Sequence, residues 1–217
     1  MFIRRLAVLV VLFMAGSVCS LAQMADAGLV AGGSFVSDSK LVLTAPCGIP
    51  LCTPVPFTET VKTGNRVFVE GVAGIRMVNA LVASVHLEVP VTYVPSQSLT
   101  FTGPVGFSPV HLSSLFVTPS IRVKLLPGSS ISPWGSVGGG LARYTTDAGL
   151  PAINSGALQF GGGLDFKTRL PLLGFRAEVR DYVSKQPNPG VALFSVQTPS
   201  GLSRHNVLVG GGIVLSF

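Results

Sequence analysis

The sequence contains few charged residues and, beyond its first segment, no long apolar run. Asp, Glu, Lys and Arg make up 11% of the 217 residues, against about 25% in typical soluble domains. The mean hydropathy of +0.59 is nevertheless in the range of membrane proteins. A spanning helix needs about 20 predominantly apolar residues. Because only helices and closed barrels satisfy every backbone polar group in lipid, the composition predicts a transmembrane β-barrel.

Clusters of basic residues and cofactor motifs are also absent. Lys and Arg are spread along the chain, which argues against a nucleic-acid partner. Three glycine triplets occur, at 138–140, 161–163 and 210–212. A phosphate-binding loop would need a helix N-terminus after the glycines, and none is predicted here. We therefore expect no cofactor, and we expect the glycines to give room to bulky inward neighbours and to strand curvature.

Cysteine is scarce, with three residues in the chain. Cys19 falls in the N-terminal segment, and Val18 before it is too bulky for a lipidation site. Cys47 and Cys52 form an isolated pair, which in an exported protein is most simply a disulfide. The alternative is a metal pair, but no His or carboxylate lies near enough in sequence to complete four ligands. We expect a disulfide and no metal.

The first 22 residues have the features of a cleaved secretory signal. Arg4 and Arg5 provide the positive start, residues 6–14 the apolar segment, and Ser20-Leu21-Ala22 the small-residue cleavage site. An anchor helix is the alternative, for which the apolar run is too short. The prediction is a signal peptide over 1–22 and one outer-membrane β-barrel domain over 23–217.

Period-two alternation of apolar and polar residues predicts eight strands. They are expected at 28–37, 66–77, 81–93, 114–125, 133–144, 157–167, 174–182 and 204–217. Pro90 and Pro119 fall inside strands and each removes a ladder hydrogen bond. Long connections follow the first, third and seventh strands, a moderate one follows the fifth, and short ones follow the others. This alternation is typical of an eight-stranded antiparallel up-and-down transmembrane barrel.

The last strand carries an apolar face and ends in Phe217, like the closing strand of bacterial outer-membrane barrels. Together with the strand at 175–182 and the glycine-rich strands, it makes the chain resemble the small OmpA-like outer-membrane β-barrel family, without the peptidoglycan-binding domain. The resemblance implies a place in the bacterial outer membrane and contact with its lipid and lipopolysaccharide. It also implies insertion by the barrel-assembly machinery, which reads Phe217, and a monomeric, non-enzymatic protein whose loops contact extracellular partners.

The charged side chains inside the predicted strands share the inward face. An eight-stranded barrel is just wide enough for side chains to fill it, so we expect opposite charges to pair across the lumen. The alternative is a gated ion path. The predicted interior charge network comprises Glu70, Arg76, Glu88, Arg122, Lys124, Asp165, Lys167, Arg176, Glu178 and Arg180.

The connections offer weaker signals. His111 and Ser113 are similar to the His-x-Ser pair of outer-membrane lipid A deacylases, but an orienting carboxylate, Asp147 or Glu178, would have to come from the fold. Arg143 at a strand end is expected to meet lipopolysaccharide phosphate. Apolar residues of the 94–113 connection either mark a partner or ligand site or pack on the barrel rim; they are Leu99, Phe101, Val105, Phe107, Val110 and Leu112.

Aromatic residues near strand ends, Tyr93, Trp134 and Tyr144, are expected at the membrane interfaces. The leading functional hypothesis is a structural or surface-interaction protein of the envelope. The alternative is passage of small solutes or hydrophobic compounds across the outer membrane.

Overall fold

The computed structural model describes residues 25–44, 56–102, 109–147, 151–170, 172–185, 195–197 and 203–217, and its regular elements there are β-strands. Within these ranges no helix is long and apolar enough to cross a membrane. The strands are β1 (Ala25–Val36), β2 (Ser39–Thr44), β3 (Pro56–Thr63), β4 (Arg66–Asn79), β5 (Ala83–Thr102), β6 (Val110–Val117), β7 (Ser120–Leu125), β8 (Ile131–Thr146), β9 (Ile153–Lys167), β10 (Leu173–Lys185), β11 (Ser195–Gln197) and β12 (Ser203–Ser216).

The strands close into a barrel. Its wall runs β1, β4, β5, β6 with β7, β8, β9, β10 and β12, and every neighbouring pair is antiparallel. Pairing of β1 with β12 closes the ring, with Gly28 opposite Val214 and Phe35 opposite Val207. β6 and β7 occupy one position in the wall, so the barrel has eight staves. The predicted eight-stranded up-and-down architecture is confirmed.

Pro119 divides the stave that the sequence predicts as one strand. β6 ends at Val117 and β7 begins at Ser120, and both pair with β5 and β8. The wall stays hydrogen-bonded here, because Thr118 N donates to Pro90 O at 3.3 Å and Gly139 N donates to Pro119 O at 3.1 Å. The prolines therefore interrupt the ladder without opening the wall.

Two segments predicted as loops contain strands. β2 and β3 form a hairpin within the connection predicted between the first two strands. β3 pairs with β5, and β11 pairs with β2. β5 also continues to Thr102 through a bulge between Val94 and Gln97, where Ser96 has a φ of 32°. A bulge adds one residue and reverses the inward and outward phases, which is why strict alternation ends the predicted strand at residue 93.

The two ends of the barrel differ. Connections 80–82, 126–130 and 168–172 are short and share one end, here called the short-turn end. The other end, called the long-loop end, carries the remaining connections together with the β2–β3 hairpin. At the β7–β8 turn Leu126 has a φ of 48° and Ser129 N donates to Leu126 O at 2.9 Å.

The outer surface of the wall is apolar. Alternate residues of each stave point outward and stay exposed although they are large and hydrophobic. Examples are Leu29, Val69, Ile75, Leu87, Val91, Ile121, Val137, Leu141, Phe160, Phe175, Val179 and Ile213. A closed barrel satisfies its backbone groups internally, and such a surface is stable only in contact with lipid.

The lumen contains two layers of side chains. The charged layer lies toward the short-turn end and comprises Asp26, Glu70, His86, Glu88, Arg122, Lys124, Asp165, Arg176, Glu178 and Arg180. The apolar layer lies toward the long-loop end and comprises Val30, Val61, Phe68, Val94, Leu99, Leu112, Phe116, Ala142, Tyr144, Ala157, Tyr182 and Leu208. The side chains of both layers point into the lumen.

Glycines make room for the largest of these side chains. A Cβ on Gly163 would lie 2.8 Å from Trp134 Cζ2, and a Cβ on Gly210 would lie 2.7 Å from Phe68 Cζ. Both distances are far below van der Waals contact. The triplets at 161–163 and 210–212 therefore accommodate bulky inward neighbours at these positions.

Candidate functional site

Arg180 of β10 is the centre of the charged layer. Its Nε lies 3.0 Å from Glu70 Oε1 and 3.3 Å from Glu178 Oε1, and its Nη1 donates to Glu88 Oε1 at 3.0 Å. None of these four side chains is more than 4% exposed. A guanidinium carries five donors in a fixed plane, so one arginine can serve three carboxylates that come from β4, β5 and β10.

Arg122 of β7 forms a second centre. Its Nη2 donates to Asp26 Oδ2 at 2.6 Å, and its Nε lies 3.2 Å from Glu88 Oε2. Its Nη1 lies 3.7 Å from Asp165 Oδ2. Glu88 therefore uses one carboxylate oxygen for each arginine centre and joins them into one network.

Asp165 extends the network toward the short-turn end. It accepts two hydrogen bonds from Arg176, at 2.8 Å and 3.2 Å, and a third from Lys124 Nζ at 2.8 Å. The two hydrogen bonds from Arg176 form a bidentate arginine–carboxylate pair, which is among the stronger side-chain interactions. Arg76, near the same end of β4, is half-buried.

Lys167 does not join the network in which the sequence places it. Its side chain is exposed, and its Nζ donates to Pro127 O of the β7–β8 turn at 2.5 Å. Lys167 is the last residue of β9, so its inward phase directs it to the rim of the barrel and not into the lumen. The other predicted residues lie in the layer or at its short-turn edge.

The structure adds Asp26 and His86 to the network. His86 Nδ1 lies 2.9 Å from Asp26 Oδ2, and its Nε2 lies 2.9 Å from Ser84 Oγ. Asp26 was missed because the predicted first strand begins at Gly28; continuing the alternation by one pair of residues would have placed it inward. The alternation of the predicted strand places His86 on the inward face with Glu88. It was left out of the predicted network because the sequence indicates no partner for it.

The sequence predicts Trp134 at a membrane interface, and this prediction is wrong, because the side chain lies inside the charged layer. The guanidinium carbons of Arg176, Arg180 and Arg122 lie 4.9, 5.2 and 5.8 Å from its ring centroid. The indole is 5% exposed. Residues three apart in a strand lie on opposite faces. Because Val137 faces outward, the strand pattern already indicates that Trp134 faces inward. Cations over an indole face are attracted by its quadrupole, so the ring helps to hold three like charges together.

Tyr182 and Thr92 connect the two layers. The Tyr182 hydroxyl donates to Glu70 Oε2 at 3.0 Å, and Thr92 Oγ1 donates to the same oxygen at 2.5 Å. On its other side Tyr182 stacks on Phe116, with ring centroids 4.6 Å apart. The phenol thus places its polar tip on the charges and its ring in the apolar layer.

A single arginine, Arg204 of β12, lies within the apolar layer and is 3% exposed. Its Nη2 donates to Gln97 Oε1 at 3.1 Å and its Nε donates to Asn206 Oδ1 at 3.3 Å. Its guanidinium carbon lies 5.7 Å from the Tyr144 ring centroid. The alternation of β12 indicates this inward position, because Arg204 precedes inward Asn206 by two residues.

Tyr144 is likewise inside the barrel and not at the interface, with 1% exposure, and its hydroxyl hydrogen-bonds to Ser184. Tyr93 faces outward and is 48% exposed, as an interface residue would be. Arg143 also faces outward and is exposed.

His111, Ser113 and Asp147 do not form a catalytic triad. Asp147 Oδ1 accepts a hydrogen bond from the backbone N of His111 at 3.1 Å, so this carboxylate does not orient the imidazole. The ring Nδ1 lies 3.4 Å from Ser98 Oγ, and Ser113 Oγ accepts from Ser96 N at 3.2 Å. Glu178 lies in the charged layer, away from the long-loop end. Among His111, Ser113 and Asp147, no side chain is hydrogen-bonded to the side chain of another.

The apolar residues of the predicted 94–113 connection partly resolve into core. Leu99 and Leu112 point into the lumen at 2% and 1% exposure, and Val110 packs against the buried cluster to which they belong. The Phe101 side chain and residues Val105 and Phe107 lie outside the described part of the structure.

The predicted disulfide of Cys47 and Cys52 and the predicted signal over 1–22 lie outside the described residues. Phe217 is described: its backbone N donates to Ala25 O at 2.8 Å, and its side chain is 42% exposed. In the part of the chain that the structure describes, no three His, Cys, Asp or Glu side chains are grouped to hold a metal ion.

A closed antiparallel wall of eight staves with a lipid-compatible outer surface and a polar interior defines this chain as a bacterial outer-membrane β-barrel protein. Solved structures of the same architecture are similar to it. Neisserial surface protein A matches with a TM-score of 0.50 and 14% identity, over 90% of this chain and 97% of that chain.

OprG of Pseudomonas aeruginosa matches with a TM-score of 0.49 and 13% identity, over 88% of this chain and 96% of that chain. The outer membrane enzyme PagL matches with a TM-score of 0.37 and 14% identity, over 81% of this chain and 98% of that chain. No family model matches the sequence, and no curated protein matches it. At 14% identity the likeness to neisserial surface protein A shows the fold alone, and a fold does not decide between enzymes and non-enzymes.

Proposed function

We propose that this chain is a closed, non-enzymatic barrel with a structural or surface-interaction role in the cell envelope, related to the small OmpA-like barrels. The observation that carries the proposal is the contact of Arg180 with Glu70, Glu88 and Glu178 across the lumen. Side chains fill the interior of an eight-stranded barrel, and here they are paired charges with almost no exposure.

An ion path through this layer would require the pairs to separate. Each separated charge would stay in the lumen without its partner, and removing one partner of a buried pair costs about 3–5 kcal/mol. Glu88 bridges both arginine centres, so one opening event would break several contacts together. The apolar layer adds a second barrier for ions on the long-loop side.

Single-channel recording in planar bilayers tests the closed lumen. The wild-type barrel is expected to show no conductance steps above the lipid baseline. The triple variant Glu70→Ser, Arg180→Ser and Phe116→Ser keeps the net charge and removes a large buried side chain from each layer, so it is expected to conduct. Regular steps from the wild-type protein would contradict the proposal.

The absence of catalysis is part of the same proposal. It is supported by the Asp147 carboxylate, which binds a backbone N–H of His111 and not the imidazole. Lipid A mass spectra from cells with and without the protein are expected to show the same acyl pattern. A lost acyl chain that returns with the His111→Ala variant would overturn this part.

The remaining proposals concern orientation and partners. The short-turn end would face the periplasm, the barrel-assembly machinery would read Phe217, and the monomer would present its long-loop end to extracellular partners. Outward Arg143 would contact lipopolysaccharide phosphate. Less lipopolysaccharide should then co-purify with Arg143→Ala than with the wild type, and equal amounts would remove Arg143 from the proposal.

A second candidate function is the passage of hydrophobic compounds. Its support is the apolar layer, in which Leu99, Leu112 and Leu208 line the lumen toward the long-loop end. Because the charged layer lies beyond it, such a compound would have to leave through the wall. Uptake of a hydrophobic dye by cells that carry the barrel, compared with cells that lack it, discriminates the two functions.

A further inference from the structure

The arginines of the lumen fall into two kinds. Arg122, Arg176 and Arg180 each contact at least one carboxylate, and Arg122 and Arg180 contact three each. Arg204 is as deeply buried as these, but its partners are two neutral amide oxygens and the face of a phenol ring.

No described carboxylate lies within ion-pair distance of Arg204. The chain has nine acidic residues, and among the described side chains none forms a salt bridge with this guanidinium. Glu59 is the one acidic residue whose side chain is not described. The Arg204 Nη1 atom is buried and has no hydrogen-bond partner. Buried charges in proteins are paired or coordinate metals, and among the described side chains none supplies an anion for Arg204.

Residues from two distant staves hold the guanidinium inside the lumen. Gln97 belongs to β5 and Tyr144 to β8, and each stave lies three positions from β12 around the wall. Gln97 is itself fixed, because its Nε2 donates to Ser34 Oγ at 3.3 Å. The hydrogen bond to Gln97 and the contact with the Tyr144 ring therefore position the Arg204 guanidinium, and Nη1 is its remaining donor.

The surroundings of Arg204 are apolar. Leu208 follows it on the inward face of β12, and Ala157, Leu99 and Leu112 belong to the same buried cluster. Half-buried Val110 and Ile153 pack against that cluster near the long-loop end. A ligand for this position needs one negative charge and an apolar body.

We propose that the long-loop half of the lumen binds an amphiphilic monocarboxylate, with its carboxylate on Arg204 and its chain among the apolar side chains. Guanidinium and carboxylate are matched in charge and hydrogen-bonding geometry. A single arginine selects a monoanion, and the leucine and aromatic lining selects an alkyl or aryl body. Binding at this site does not depend on ion conduction. A barrel that conducts would overturn the proposal of a closed lumen, and the binding test of Arg204 would remain valid.

Binding of octanoate to the full barrel in phosphatidylcholine nanodiscs, measured by titration calorimetry against empty nanodiscs, tests the proposal. Octanoate is expected to show saturable binding to the wild type, and at least tenfold weaker binding to Arg204→Met. Arg143→Met loses an outward charge and should bind octanoate like the wild type. 1-Octanol, which has the chain without the charge, should show no saturable binding.

Further variants and outcomes keep the test decisive. A heat-dependent gel shift reports the folding of each variant. If Arg204→Met does not fold, Arg204→Lys takes its place. Because Arg204→Lys keeps the charge, it should retain part of the affinity for octanoate. Equal octanoate binding by the wild type and Arg204→Met would overturn the proposal, as would no saturable binding by the folded wild type. Binding seen only with Glu59→Gln would show that Glu59 is the native anion and would overturn it too. Binding of octyl phosphate without octanoate would overturn the carboxylate assignment.

Discussion

Glu88 Oε1 accepts a hydrogen bond from Arg180 Nη1 at 3.0 Å across the width of the barrel. Glu88 is on β5 and Arg180 is on β10, and these staves lie four positions apart in the eight-membered wall. A contact between opposite staves fixes the diameter of the lumen at that height. It also means that the barrel interior, and not only its hydrogen-bonded wall, holds the fold together.

The first prediction concerns this crossing pair. Replacing Arg180→Met leaves three buried glutamates without their shared cation, so the free energy of unfolding should fall by about 3–5 kcal/mol. Urea titration in lipid vesicles, with the folded fraction read from gel mobility, measures the change. Lys167→Met is the matched control, because it removes a cation that is exposed and outside the network and loses only the hydrogen bond to Pro127 O. The free energy of unfolding should then fall by about 1 kcal/mol at most. Equal unfolding midpoints for the two variants would contradict the packed charged layer.

A second prediction concerns the glycine beneath the indole. In Gly163→Ala the new Cβ would lie 2.3 Å from Ala177 O and 2.8 Å from Trp134 Cζ2, so either the backbone or the ring must move. Overpacking of this kind costs about 1–3 kcal/mol. Gly71→Ala is the control, since nothing lies within 4 Å of its added Cβ and a tolerated Gly→Ala change stabilises by about 0.4–1 kcal/mol. If both variants unfold at the same urea concentration, the indole is not held against that strand.

A third prediction concerns the cleavage of the predicted signal peptide and the predicted disulfide. The intact mass of the protein from the outer membrane should correspond to a chain that begins at Gln23 and has lost two hydrogens to a bond between Cys47 and Cys52. Such a small loop adds only about 2 kcal/mol of stability, so reduction should restore the two hydrogens without unfolding the barrel. A mass that includes residues 1–22, or free thiols in the untreated protein, would contradict the respective prediction.

A fourth prediction separates assembly from stability. Phe217 contributes a backbone hydrogen bond to Ala25, while its ring stays partly exposed. Phe217→Ala should therefore lower the amount of protein in the outer membrane several-fold and leave the unfolding midpoint of refolded barrel nearly unchanged. Phe35→Ala, which removes another exposed aromatic of the wall, should not lower the amount inserted. Loss of insertion for both variants would show that the effect comes from aromatic content and not from the final position.

The sequence specified the barrel because lipid and lumen impose opposite polarities on alternate residues. That constraint placed Glu70, Arg122 and Arg176 correctly inside. It could not extend β5 beyond residue 93, because a bulge at Pro95-Ser96 reverses the phase without changing composition. The hairpin of β2 and β3 was missed for a related reason, since strands beyond the membrane carry no such contrast between their faces.

Partnerships within the lumen could not be read from the pattern either. Alternation shows that Arg180 and Arg204 both point inward. It does not show that Arg180 meets three carboxylates and that Arg204 meets none of the described ones. That difference depends on height along the barrel, which the register between distant staves decides. Trp134 is an intermediate case. The alternation of β8 indicates that its side chain faces inward, and only its position near a strand end suggested the membrane interface.

Trp134 is the one tryptophan of the chain, and it lies among three guanidinium groups. Intrinsic tryptophan emission from this protein is consequently a spectroscopic readout of a single point inside the charged layer. In the folded state a dissolved quencher such as acrylamide should reach the indole poorly, and in the unfolded state freely. A stopped-flow fluorescence trace of refolding would then time the moment at which the lumen closes around one ring, without any label.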